Sequence, residues 1–264
     1  MSKSNGAARG LVLAAVMGAA APALGQPQRI ALDGAFPIVE LRQYTLHEGK
    51  RDTLIELFER EFVESQEAGG MKVIGTFRDL DRPNRFVWLR GFTDMDSRAA
   101  GLNAFYFGPL WKANRDAANA TIEDSDNVLL LHAPVTSAVF KPQPLRPGLD
   151  EGRPAGLIVA TIYYLNGPPE GALAVFQSQV VPSLGKAGAP PLAWFVPETA
   201  ANNFPRLPVR EGEQVLVWFA RLSSAGDYAK RKAALDEAAR PLAPFLARAP
   251  EVLRLAPTAR SELR

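Results

Sequence analysis

The chain has 264 residues, 47% of them hydrophobic and 22% charged, and contains no cysteine. That content supports a packed core and excludes disulfide frameworks, cysteine-built metal centres and a thiol nucleophile. Thirty Lys and Arg against 28 Asp and Glu give a formal charge of +2, without the clustered basic excess of a nucleic-acid-binding protein.

Lys3 and Arg9 precede the apolar run from Leu11 to Ala21, and Ala23-Leu24-Gly25 puts small residues where a signal peptidase reads. This predicts a signal peptide over residues 1–25, cleavage near Gly25-Gln26, and a periplasmic or secreted protein. An Ala-rich extension without a targeting role is the other reading. The run is too short to span a bilayer, and no later stretch approaches about 20 uninterrupted apolar residues, so no membrane segment is expected after the signal is removed. The leader holds two bases and no acid, so 30 − 2 leaves 28 basic against 28 acidic side chains in the rest.

Alternating residues predict a strand over 38–46, followed by a helix over 51–66 with Leu54, Ile55, Leu57, Phe58 and Phe62 at helical spacing. Gly69-Gly70 ends that helix. Strands at 71–77 and 86–92 flank the turn Asp81-Arg82-Pro83-Asn84. Asp94 or Asp96 caps a helix to Phe107, Pro109 opens another reaching Thr121, and residues 128–131 form a short apolar strand. Asp124, Asp126 and Asn127 lack calcium-loop spacing and read as turn formers. The first domain is thus expected at 36–135, and the Pro/Gly-rich stretch around Pro142–Pro154 predicts a linker over 136–156. A second domain, 157–258, has strands at 157–165, 192–196, 215–222 and 252–255. Its helices fall at 171–184 and 226–247, the latter interrupted near Pro241 and Pro244.

Each half reads strand, helix, strand, strand, helix, strand, and Phe86-Val87-Trp88-Leu89 echoes Leu216-Val217-Trp218-Phe219. The predicted fold class is α+β, with two tandem ferredoxin-like βαββαβ units whose sheets cover each other. Pairing within one chain removes the need for a homodimer and leaves one open.

The segment Val39-Glu40-Leu41-Arg42-Gln43-Tyr44 with Gly49, the strand Phe86–Phe92 with Arg98, the run Phe105–Trp111 and Ala118–Thr121 together resemble a NIPSNAP domain. The resemblance covers about residues 38–132, and the second half resembles a degenerate copy. It implies a dimeric α/β-barrel-type pair, formed here within one chain. It also implies a superfamily containing cofactor-free antibiotic-biosynthesis-type monooxygenases and haem-using chlorite dismutase-like enzymes, with no settled chemistry for NIPSNAP proteins themselves. Where many members have His in the third strand this chain has Trp88, and where they have Trp it has Arg90, so no role resting on that His carries over.

Glu40, Arg42 and Tyr44 share one face of the first strand, and Trp88, Arg90 and Phe92 share one face of the third, its neighbour in a ferredoxin-like sheet. Val39, Leu41, Val87 and Leu89 suit a helix-packed face, so the polar face is expected to point toward the partner sheet. One reading is a pocket for an anionic or carbonyl-bearing aromatic ligand, held by Arg42 and Arg90 and stacked on Trp88. The other is a Glu40–Arg42/Arg90 ion network that satisfies itself. The second half has Val159, Thr161 and Ala220 at the matching positions, which assigns any site to the first half. Trp111 and Arg115 lie on one face of a helix with Asn119 and form a second ligand-binding candidate, with Arg115 expected to pair with an Asp of the turn at 124–127. His47 and His132 have no partners at metal spacing, so no metal and no cofactor is expected, although one His leaves a haem open by count.

No P-loop, G-x-G-x-x-G or G-x-S-x-G appears. The function read from the residues and the resemblance is an exported NIPSNAP-family protein that binds a small organic ligand between its sheets. The alternatives are a cofactor-independent monooxygenase, with Arg42 steadying an oxyanion, and a structural or protein-interaction module.

Overall fold

The computed structural model describes residues 35–141 and 145–264, besides Met1, so the leader expected over residues 1–25 lies outside the described residues. Strand β1 (Ile38–Leu46) leads into α1, a continuous helix of three parts: Arg51–Leu57, a π-helical turn at Phe58–Phe62, and Val63–Ala68. Then come β2 (Lys72–Asp79), β3 (Arg85–Phe92), α2 (Met95–Tyr106), α3 (Pro109–Asn119), β4 (Ile122–Asp124) and β5 (Val128–His132). The later elements are β6 (Leu157–Tyr164), α4, β7 (Pro191–Pro197), β8 (Val215–Leu222), α5 and β9 (Glu251–Pro257). Helix α4 again contains a π turn, Phe176–Val180, between Pro169–Val175 and Val181–Lys186, and α5 (Ala225–Ala239) tightens into a 3₁₀ stretch at Arg240–Phe245. Pro241 and Pro244, which cannot donate to an α-helical ladder, account for that tightening. The short β4, absent from the sequence prediction, pairs with the end of β1.

All strand pairings are antiparallel. The order β5-β1-β3-β2 is joined to β9-β6-β8-β7 through β2–β9 at one seam and β5–β7 at the other, which closes an eight-stranded barrel. With five helices longer than a single 3₁₀ turn among the described residues, this is a mixed α+β fold. The two sheets were expected to cover each other face to face; instead they also bond edge to edge, because closure is what removes unpaired strand edges. Beyond β9 the chain keeps bonding to β2, with Thr258 N–H donating to the Thr76 carbonyl at 2.9 Å and Leu263 N–H to that of Ile74 at 3.0 Å.

Three apolar clusters occupy the layers. The barrel interior is filled from both halves by Val39, Leu41, Val87, Leu89, Ile162, Phe219 and their neighbours. Outside it, α1, α2 and α3 pack on Ile38, Tyr44, Trp88 and Phe92, while α4 and α5 pack on Val159, Tyr163 and Trp218. The faces of β1 and β3 are therefore the reverse of the sequence expectation. Val39, Leu41, Val87 and Leu89 turn inward, and the face with Glu40, Arg42, Tyr44, Trp88 and Arg90 lies under the helices. An eight-stranded barrel is just wide enough for side chains, so its interior selects apolar residues over charged ones that would need buried partners. The helix layer can accept arginines because their stems pack as apolar groups and the helices supply partners for their ends.

Gly75 sits where β2 shifts register against β3, and a Cβ there would meet the Phe77 ring at 2.4 Å. Gly75→Ala is expected to lower the unfolding free energy by about 1–3 kcal/mol through overpacking. A urea midpoint unchanged from the wild type would show that Phe77 yields without cost. No helix among the described residues is long and apolar enough to cross a membrane.

Candidate functional site

Position 40 in the middle of β1 faces Arg90 on β3 on one side and Leu130 on β5 on the other. This places Glu40 at the centre of the sheet surface that α1 and α2 cover, and neither it nor Arg42, Arg90 or Arg98 keeps any solvent exposure. The carboxylate accepts from three guanidinium groups: Arg42 Nη1 at 2.9 Å, Arg90 Nη2 at 2.6 Å and Arg98 Nε at 2.8 Å. Burial pushes the Glu40 carboxyl up, but Arg90, Arg42 and Arg98 together hold it well below the usual carboxylate range. Burial pulls Arg98 below its ordinary value, with the Glu40 carboxylate opposing.

Each arginine has a second anchor. Arg90 Nη1 donates to Gln66 Oε1 at 3.0 Å, and that amide is oriented by its own Nε2 donating to the Phe62 carbonyl at the end of the π turn. Arg42 Nε donates to the Tyr44 hydroxyl at 3.0 Å. Burial raises the Tyr44 pKa, so this phenol is neutral and its own proton remains to be donated. Arg98 rides on α2, whose start is set by a capping box between Asp94 and Ser97. Its Nη1 donates to Asn202 Oδ1 at 3.1 Å and Asn203 Oδ1 at 2.7 Å, both from the loop between β7 and β8.

Aromatic rings enclose these charges. The Arg90 guanidinium lies 4.9 Å from the Trp88 ring centre and that of Arg42 5.6 Å from it. Phe58 and Tyr44 meet Trp88 edge-on at 4.8 Å and 6.0 Å. The buried ions do not balance, however: three guanidinium charges against one carboxylate leave +2. Among the described residues, Arg42 Nη2 and Trp88 Nε1 are buried without an acceptor. Arg98 Nη2 is 2.7 Å from Glu40 Oε1 but lacks hydrogen-bonding alignment.

The second half makes the contrast plain. Trp218 lies opposite Thr161 as Trp88 lies opposite Arg42, and Trp218 Nε1 donates to the Tyr163 hydroxyl at 3.3 Å. Burial pushes Tyr163 up to about 12. In the first half the equivalent hydroxyl, Tyr44, is taken by Arg42, and Trp88 is left with a free donor.

Of the residues singled out in the sequence, Glu40, Arg42, Tyr44, Trp88, Arg90 and Phe92 come together. Trp111 stands outside this ring and packs on Phe62, Phe105 and Tyr106. Arg115 does not join: it is exposed and pairs with its neighbour Asp116 at 3.1 Å, not with the turn at 124–127. That turn closes on itself, with Asp126 N–H donating to Asp124 Oδ1. Arg98 is the member of the cluster that the strand patterns missed. Its signal is the inward stripe Met95, Arg98, Leu102 and Phe105, where an arginine at a core position demands a buried partner. Gln66, Asn202 and Asn203 carry no such mark. His132 lies apart, its Nδ1 3.9 Å from Glu198 Oε2. No three His, Cys, Asp or Glu among the described residues stand in metal-holding geometry.

The closed eight-stranded barrel with helices outside defines the class, a mixed α+β barrel. A provisionally assigned monooxygenase from Fusobacterium nucleatum is similar, with a TM-score of 0.55 at 10% identity over 85% of this chain and 93% of that one. Another from Lactobacillus acidophilus gives 0.54 at 12% over 86% and 97%. These likenesses define the fold alone. The NIPSNAP sequence family matches residues 39–136, the stretch that holds β1 to β5. A NIPSNAP family protein from Agrobacterium tumefaciens is 26% identical over 38% of this chain and 86% of that one, with a TM-score of 0.33. No curated protein matches the chain.

Proposed function

We propose that this protein is exported and binds a small anionic or carbonyl-bearing aromatic ligand at the Glu40–Arg42–Arg90–Arg98 cluster, under the helices and not between the sheets. The observation that carries this reading is the uncompensated +2 of the buried cluster, with donors on Arg42 and Trp88 that lack acceptors. Leaving a buried guanidinium unpaired costs several kcal/mol, and an oxyanion supplies the missing charge and acceptors together. No cofactor is needed for binding of this kind. The leader pattern at Lys3–Gly25 supports export, and the repeated element order supports two tandem ferredoxin-like units, the second degenerate at the charged positions.

Mass spectrometry of small molecules released from the purified protein tests the proposal. An anionic species is expected from the wild type and is expected to fall by about tenfold or more in Arg42→Met, which keeps the side-chain bulk while removing one charge-assisted partner. A wild type that releases nothing and binds no oxyanion would return the cluster to a self-contained ion network.

A second reading is cofactor-independent oxygenation of an electron-rich phenol, favoured by the fold likeness to proteins assigned as monooxygenases. In that chemistry Arg42 steadies the phenolate that forms and Tyr44, as a neutral phenol, holds a proton beside it. Oxygen uptake with a panel of hydroquinones checks it; uptake that survives Arg42→Met would exclude this cluster as the site.

A further inference from the structure

The loop from Glu198 to Gln214 is much longer than the hairpin turn between β2 and β3 and crosses from the second half onto the first. Glu198 N–H donates to the Leu130 carbonyl at 3.0 Å, and Arg210 N–H donates to that of Val128 at 2.8 Å. Strand β5 pairs with β7 only at Leu131 and His132, so below these residues the loop takes over the seam. Between loop and seam lies a cavity of about 230 Å³, with apolar walls from Leu129, Leu130, Val209 and Val215 and with Ala200 and Asn202 in the loop wall.

Two of these residues adjoin the charged cluster. Leu130 is the cross-strand partner of Glu40, and Asn202 Oδ1 holds Arg98 Nη1. A ligand group that replaces the Asn202 oxygen on Arg98 therefore joins the cavity to the cluster. Glu198, Glu211 and Glu213 line the cavity with one cation, Arg210, which pairs with Glu213, so its net acidic rim disfavours an anion in the cavity itself and directs negative charge toward the buried cluster. Phe204, packed near Tyr106 and Phe107, fixes the loop over α2.

Building on the anion-binding reading above, we infer that the ligand carries a compact dianionic oxyanion head on Arg42 and Arg98, with a neutral body about the size of one ring in the seam cavity. A cluster with an excess of two positive charges matches a dianion better than a monoanion, and planar guanidinium groups suit phosphate-type oxygens. The cavity, below the roughly 300–1,000 Å³ of drug-sized pockets, limits the body to a small group.

Phenyl phosphate, inorganic phosphate and benzoate serve as probes, titrated calorimetrically into the full chain at neutral pH. Phenyl phosphate is expected to bind about tenfold more tightly than either of the others. Ala200→Phe, which fills the cavity, is expected to remove the advantage over inorganic phosphate and leave inorganic phosphate unchanged; Val209→Phe fills it from another wall should the first variant fold poorly. If phosphate binds and Arg42→Met weakens it, yet neither filling variant affects phenyl phosphate, the seam assignment is overturned while the anion site stands. Benzoate binding as tightly as phenyl phosphate overturns the dianionic head. If none of the three binds, the anion site and this inference fall together.

Discussion

Glu40→Gln is expected to lower the unfolding free energy by at least about 3–5 kcal/mol, because it removes the carboxylate shared by three buried guanidinium groups and leaves them facing one another. Urea denaturation at neutral pH reads the loss directly. The paired variant Glu40→Gln with Arg98→Met separates charge from shape. It removes one cation and is expected to recover part of the stability, whereas a purely steric role for Glu40 predicts further loss. A Glu40→Gln loss below about 1 kcal/mol would contradict the assigned role, since that is the range of ion pairs at a solvent-exposed surface.

The same group gives a pH dependence with a definite sign. The folded Glu40 carboxyl is held well below its usual range, and in the unfolded chain it returns to about 4.3. Its contribution is therefore fully present above that unfolded value and is lost as pH falls below it. The wild type and Glu40→Gln should differ most near neutrality and converge on acidification below about pH 4. A gap that stays constant down to pH 2 would place the stabilisation elsewhere.

Deleting Arg260–Arg264 is the second change with a large expected effect. Leu263 is 6% exposed and fills the barrel interior, and Ser261 Oγ accepts from Thr76 N–H at 3.1 Å. The Arg260 N–H donates to Glu59 Oε1 at 2.8 Å, and its side chain donates to the Pro147 carbonyl and pairs with Glu64. Loss of the Leu263 side chain alone costs about 2–5 kcal/mol, and the unpaired Thr76 and Ile74 backbone groups of β2 add roughly 1–3 kcal/mol each. The truncated protein is expected to unfold at a temperature far below that of the full chain. A shift of only a few degrees in calorimetry would mean that the tail lies on the barrel without supporting it.

That tail was invisible to pattern reading because the two apolar residues in Thr258–Arg264, Ala259 and Leu263, are too few to show a periodicity. The strands and helices were legible for the opposite reason. Runs such as Ile38–Leu46 and Val215–Leu222 alternate or continue apolar over several residues, and Pro and Gly punctuate them. The π turns at Phe58–Phe62 and Phe176–Val180 were not legible, since they change the hydrogen-bonding pitch without changing composition. Residues at 40, 42, 44, 88, 90 and 92 were brought together on sequence alone, because strand alternation fixes which side chains share a face.

Which way that face points is a different matter. Alternation says that Glu40 and Val39 lie on opposite sides, but it does not say which side the helices cover. In this chain both sides of β1 are buried, so polarity could not separate inside from outside. Only barrel closure decided it: with β2 bonded to β9 and β5 to β7, the interior is filled by apolar side chains and holds no partners for arginine. Arg98 from α2 and Asn202 and Asn203 from a distant loop then complete the cluster. The sequence by itself determined the order of elements, the first-half location of the charges and the family resemblance, because these depend on local spacing. The tertiary structure decided that the charges lie beneath the helices, that they carry an excess of two, and that a loop from the second half covers them, because each depends on segments far apart in the chain.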